Sequence, residues 1–144
     1  MTSTRVKMKI KMTMKSSNYV LIAISTLVIV VTTLFIYYLY LYAISSPYRI
    51  SSETAKNRIK DSKIDLILDV RTDLERTTLG FYPGSIHIQS SDLETLMPVK
   101  YPNKGLKILA YCNSGQRARI ATEKLHALGY TNSVYIATTY LSLL

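Results

Sequence analysis

The alternation of apolar and polar positions divides the chain near Tyr48. From Tyr19 to Ile44 it reads YVLIAISTLVIVVTTLFIYYLYLYAI, 26 residues without a charge, a Pro or a Gly. As a helix rising about 1.5 Å per residue this stretch reaches roughly 39 Å, against a hydrocarbon core of about 30 Å. A core helix of a small domain does not stay apolar on every face for so many turns, and the apolar region of a secretory signal runs only about 7–15 residues. The pattern therefore predicts a single-pass transmembrane helix over residues 19–44, with residues 1–18 ahead of it as a basic tail. Cleavage after Ser45, behind Ala43, is the minor reading. Tyr37, Tyr38, Tyr40 and Tyr42, with Tyr48 just beyond, crowd the C-terminal end of the segment, as rings seated at the headgroup level would.

Over residues 45–144 the pattern changes to short apolar runs and helical spacings. Ser51 or Ser52 caps a helix that runs to Lys60, with Glu53 in its first turn. Ile64 to Val70, with Leu66, Ile67 and Leu68 in a row, reads as a buried parallel strand. Pro83-Gly84 marks a turn, Ile86 to Ile88 a short strand, and Ser91-Asp92 cap a brief helix that stops before Pro98. A second apolar run, Leu106 to Tyr111, precedes a helix from Arg117 to Leu128 with Ala118, Ala121, Leu125 and Leu128 on one face and Gly129 in the C′ position. Val134 to Ile136 is the last strand. Strands alternating with helices in this way imply an α/β domain, a parallel sheet with helices on both faces.

Charge changes the reading of partners. The net +9, from 18 Lys+Arg against 9 Asp+Glu, suggests nucleic acid or an anionic membrane when taken as an average. The first 15 residues, however, carry Arg5, Lys7, Lys9, Lys11 and Lys15 with no acid, and Ser16 to Tyr48 carry no charge. Beyond Tyr48, 13 Lys+Arg against 9 Asp+Glu leave only +4, without recurring basic-aromatic interleaving, so no nucleic-acid partner is expected. The acid-free N-terminal charges favour a cytosolic N-terminus with the domain on the far side. A single cysteine excludes an internal disulfide, a C-x-x-C pair and a multi-thiolate zinc site, and no metal or cofactor is expected.

That cysteine occupies the position where chemistry is expected. Ligand sites of open α/β sheets lie beyond the carboxyl ends of the strands, and Cys112 closes a strand there, ahead of a short polar loop and a helix. The amides at the start of that helix and the charge of Arg117 stabilise an anion near the sulfur. Gly115 supplies the positive φ that a loop with converging amides requires. The alternative is an inert buried cysteine ending a core strand. His87, within a strand, and His126, on a helix, read as structural.

The loop Y-C-N-S-G-Q-R-A, Tyr111 to Ala118, resembles the C-x-x-G-x-R active-site loop of the rhodanese-like sulfurtransferases. LILDVRTDLE, Leu66 to Glu75, and GFYPGSIHI, Gly80 to Ile88, resemble that family's D-V-R-x-x-x-E and G-H-I-P-G-A-x-x-I signatures, in the same order. The resemblance implies that Cys112 takes the outer sulfur of a small sulfur-containing anion such as thiosulfate as a persulfide. A thiol or protein acceptor then receives it, since no second cysteine can resolve the persulfide within the chain. It further implies that the amides of Asn113, Ser114, Gly115, Gln116 and Arg117 cradle the donor, with Asp69 and Arg71 at the rim.

Cysteine phosphatases space their arginine as C-x5-R, and position 118 here is Ala while the arginine falls at 117, so phosphatase or arsenate reductase chemistry is a minor alternative. The runner-up is a catalytically silent module that docks a partner at a membrane. Two departures from the family pattern stand out. Phe81 replaces a His, and Ala137-Thr138-Thr139-Tyr140 stands where a Gly-Gly turn and a Trp-bearing final helix are usual, an absence expected either to expose one sheet face, for another chain or the membrane surface to cover, or to soften the site.

Overall fold

The structure is a computed structural model that describes residues 2–144, with side chains from Asn18 onward. Helix α1 runs Thr2–Ile44, and its Asn18–Ile44 portion is long and apolar enough to cross a membrane. Hydroxyls within that portion are satisfied by the helix itself: Ser25 donates to the Ile22 carbonyl, Thr26 to Ala23, and Thr33 to Ile29 at 2.8–2.9 Å. Such back-bonding removes the cost of a bare hydroxyl in an apolar medium. Residues Met1–Tyr38 and Leu39–Leu144 form two compact units, the second holding the end of α1 from Leu39 and the α/β domain.

The domain is built on four parallel strands, β1 (Leu66–Asp69), β2 (Ile86–His87), β3 (Ile108–Tyr111) and β4 (Ser133–Tyr135), in the order β2-β1-β3-β4. A bridge between Arg49 and Tyr135 extends the sheet beyond β4. Alternation along β3 assigns its side chains to two faces. Ile108, Ala110 and Cys112 join one buried cluster with Leu68, Val70, Leu93, Met97, Ala118 and Leu125. Leu109 and Tyr111 join the other, with Ala55, Ile136 and Leu143. The expected two-sided α/β sheet is therefore present, with α4 (Leu93–Lys100) and α5 (Gln116–Ala127) supplying one face and α2 (Ser52–Lys60) the other.

The second face is not left open. A 3-10 turn, Tyr140–Leu143, folds onto α2, Ser52 donates to Ser142 at 3.0 Å, and Leu143 is buried. Of the two expected consequences, the exposed sheet face is not found: α2 and this turn bury Leu109, Tyr111 and Ile136 together with Leu143.

Local signals explain most of the helix ends. Ser51 caps α2 by accepting from the Thr54 amide at 3.1 Å. Helix α5 ends in a Schellman arrangement, with Gly129 at φ +92°, its amide on His126 and the Tyr130 amide on Leu125. Helix α4 differs from expectation twice. It runs through Pro98 to Lys100, and Asp92 makes no capping bond, its backbone being helical (φ −99°, ψ −4°) rather than extended and its Oδ1 accepting from the Ser91 hydroxyl at 2.8 Å. Buried Leu93 and Met97 anchor the helix across the proline, and the carbonyl that Pro98 leaves without a donor belongs to exposed Glu94, where water can serve it.

Candidate active site

Strand β3 delivers Cys112 to the carboxyl end of the sheet, and α5 begins four residues later at Gln116. Between them Gly115 adopts φ +91° and ψ −20°, which turns its amide back so that it donates to the Cys112 sulfur at 3.1 Å. Space as well as φ requires glycine there: a Cβ would lie 2.5 Å from the Cα of Ala137, just after β4. Asn113, Gln116 and Arg117 are half-buried around the sulfur and Ser114 is exposed. Among the described residues Gly115 is the one amide that donates to the sulfur, where the sequence suggests several. Cys112 has no accessible surface in this arrangement of the loop.

The loop is held from outside by Glu75. Its carboxylate receives both Arg117 Nη atoms, at 2.5 and 2.7 Å, and the Asn113 amide at 2.7 Å. The same carboxylate closes a capping box with Thr72 at the start of α3 (Asp73–Leu79), so helix capping and loop clamping share one side chain. Glu75 closes the D-V-R-x-x-x-E signature and the T-x-x-E capping signature from Thr72, but sequence reasoning gave it no part in the site.

The Arg117 hydrogen bonds hold the Glu75 carboxyl down at about 2, against an ordinary value of 4.5. A depressed carboxyl stabilises the fold above its unfolded pKa, and that stabilisation is lost as pH falls through the folded value. Glu75→Gln should therefore lower stability by about 1 kcal/mol at pH 6, a modest figure because both side chains are partly solvated. The gap to wild type should close between pH 4.5 and about 2, read from denaturant midpoints across that range.

Asp69 and Arg71 lie beneath the loop rather than at its rim. Both are buried, at 0% and 1% exposure, and pair through two parallel bonds of 2.9 and 2.7 Å. Burial fixes this outcome, because two charges without water must satisfy each other. The Asp69 carboxylate also receives the Tyr111 hydroxyl at 2.9 Å and Arg76 at 3.2 Å. Burial opposes its ionisation, yet the Arg71 and Tyr111 hydrogen bonds together hold its pKa below the ordinary value. Arg71 then reaches the Gly80 carbonyl at 2.7 Å and Asn113 at 3.4 Å, which ties the GFYPGS turn and the loop to one buried charge pair. Phe81 has a role of its own, carrying the Arg76 guanidinium 3.8 Å over its ring. His87 bonds the Arg71 carbonyl at 2.8 Å, and His126 donates to the Ser133 carbonyl at 2.9 Å.

The model of the rhodanese-like domain matches residues 51–139, which includes every element of this site. The chain belongs to the rhodanese-like family. Solved structures with this fold include the human single-domain sulfurtransferase, 23% identical, covering 67% of this chain and 95% of its own length at a TM-score of 0.57. A rhodanese-related protein from Thermoplasma volcanium is 26% identical over 66% of this chain and 88% of its own, at 0.54. A protein from Rhodopseudomonas palustris described as a possible tyrosine phosphatase is 22% identical over 73% of this chain and 85% of its own, at 0.61. Comparison with curated protein sequences gives no match. Within the rhodanese-like domain the Cys112 loop, the Glu75 clamp and the Asp69–Arg71 pair form one connected assembly.

Proposed function

We propose that this protein is a membrane-anchored sulfurtransferase that carries sulfane sulfur as a Cys112 persulfide. The observation that carries the reading is the Cys112 sulfur at the head of α5, bonded to the Gly115 amide with the Arg117 charge beside it. In the first step the Cys112 thiolate attacks the outer sulfur of thiosulfate. A new S–S bond forms, the donor's S–S bond breaks, and sulfite leaves with the electron pair. In the second step a thiophilic acceptor such as cyanide or a thiolate attacks the outer sulfur, and the Cys112 thiolate is regenerated. The Gly115 amide stabilises sulfur-centred negative charge throughout, and the backbone amides of Asn113, Ser114, Gln116 and Arg117 bind the anionic donor. Asp69 and Arg71 act as positioning residues, holding Asn113 and the Gly80 carbonyl from below.

Anchoring is part of the same proposal. Asn18–Ile44 forms one apolar helix whose hydroxyls bond internally, and the basic residues before it favour a cytosolic N-terminus. The test is intact mass after incubation with thiosulfate. Wild type is expected to gain one sulfur atom and lose it to cyanide, whereas Cys112→Ser gains none. An adduct that persists in Cys112→Ser, or none on wild type, sinks the proposal.

The burial of Cys112 favours one second reading, a silent module that binds a partner. On that reading Cys112→Ala leaves cellular function intact.

A further inference from the structure

At the amino ends of the strands, away from Cys112, lies a pocket of about 860 Å³ lined by Arg58, Lys63, Lys107, His126, Tyr48 and Asn132, among others. Its cations come from three places: Arg58 from α2, Lys63 from the approach to β1 and Lys107 from the approach to β3. No acid is among the lining residues. Lys63 pairs with Asp61 at 3.0 Å, with both side chains more than half exposed, and Asp65 accepts from the Lys107 backbone amide at 2.8 Å. Among the described residues neither Arg58 nor Lys107 has a carboxylate partner for its side chain. One wall is rigid and aromatic, with the Tyr48 and His126 rings stacked 3.8 Å apart.

We propose that this pocket binds the phosphate headgroup of an anionic phospholipid. The inference rests on the anchored reading above, because chain connectivity is what favours a lipid over a soluble phosphate. Pro47 and Tyr48 line the pocket and follow Ile44, where α1 ends, by three and four residues. At about 3.6 Å per residue or less, Tyr48 lies within roughly 14 Å of the helix end. The helix end is itself fastened to the domain. The Tyr135 hydroxyl donates to the Ala43 carbonyl at 2.6 Å, and the Arg119 guanidinium lies 3.9 Å over the Tyr42 ring. A basic pocket within that reach of the helix end is placed to take an anionic headgroup from the leaflet on the domain's own side.

The experiment uses the full chain in neutral-detergent micelles, with native mass spectrometry counting bound dioleoyl phosphatidylglycerol and dioleoyl phosphatidylcholine. Phosphatidylglycerol adducts should survive and phosphatidylcholine adducts should not. The double variant R58Q/K107Q should lose roughly ten-fold or more in phosphatidylglycerol occupancy, as expected for two surface cations. K56Q/K100Q, with the same charge change outside the pocket, should lose none. If R58Q/K107Q fails to fold, K107Q alone, at an exposed residue, should still lower occupancy several-fold. Equal loss in both double variants, or equal retention of the two lipids, overturns the proposal. So does displacement of phosphatidylglycerol by millimolar inorganic phosphate, which would assign the pocket to a soluble anion. Sedimentation with vesicles of phosphatidylcholine alone tests anchoring separately: a chain left in the supernatant refutes the anchor, whatever lipid preference the micelles report.

Discussion

Asp69→Asn should unfold the domain near physiological temperature. The change leaves the Arg71 guanidinium buried without a counter-charge, with the Tyr111 hydroxyl and Arg76 also losing their anionic acceptor. Breaking a buried pair by removing one partner costs about 3–5 kcal/mol, a large share of the 5–15 kcal/mol that holds a typical domain together. For a domain of this size the melting temperature should fall on the order of 15–30 °C, measured by circular dichroism of the full chain in micelles. Asp61→Asn is the internal comparison, since its pair with Lys63 is solvated and worth about 0–1 kcal/mol. Equal effects of the two changes would remove the buried pair from its place as the organising contact beneath the loop.

Gly115→Ala should slow sulfur loading roughly 100-fold while leaving the rest of the domain recognisably folded. Two penalties meet at this residue. The left-handed backbone at φ +91° costs an L side chain about 1–2 kcal/mol, and the added Cβ would press on the Ala137 backbone at 2.5 Å. Relief requires the loop to move, and the Gly115 amide then leaves the sulfur it now meets at 3.1 Å. Displacing a stabilising group by about 1 Å typically costs roughly 100-fold in rate, which is the loss expected for persulfide formation followed by mass. Gly84→Ala separates the two penalties. Gly84 has φ +78° but open space where its Cβ would stand, so it should lose stability and keep its loading rate.

The sheet, the order of its helices and the cysteine loop were legible because each rests on local pattern: apolar runs for β1 and β3, helical spacing for α5, glycine at 129 for its end. Helix α3 was not, because its exposed Leu74 and Leu79 give no buried stripe and its definition comes from the Thr72–Glu75 box. The same box hides the reach of Glu75 to Arg117, 42 positions along the chain, which no spacing rule announces. The descent of Asp69 and Arg71 from rim to interior, and the contact of Gly115 with Ala137, likewise depend on how β1, β3 and β4 align. Pro98 reverses an ordinary local rule for the same reason: packing of Leu93 and Met97 outweighs one missing amide.

The hydrogen bond from Tyr135 to Ala43 bears on where this protein tolerates being cut. Severing the chain after Ser45 removes the acceptor of a fully buried phenol, together with the aromatic ring and carbonyl that Arg119 engages at Tyr42. A released fragment would lose the bond to Ala43 and the cover that the end of α1 gives to the Tyr135 ring, and would expose that ring to water. The compact unit begins at Leu39, inside the apolar helix, so a water-soluble version needs those residues retained with their outward faces made polar. Proteolysis after Ser45 would thus act on the domain as a destabilising mutation does, because Leu39–Ile44 belong to the same compact unit as the sheet and its helices.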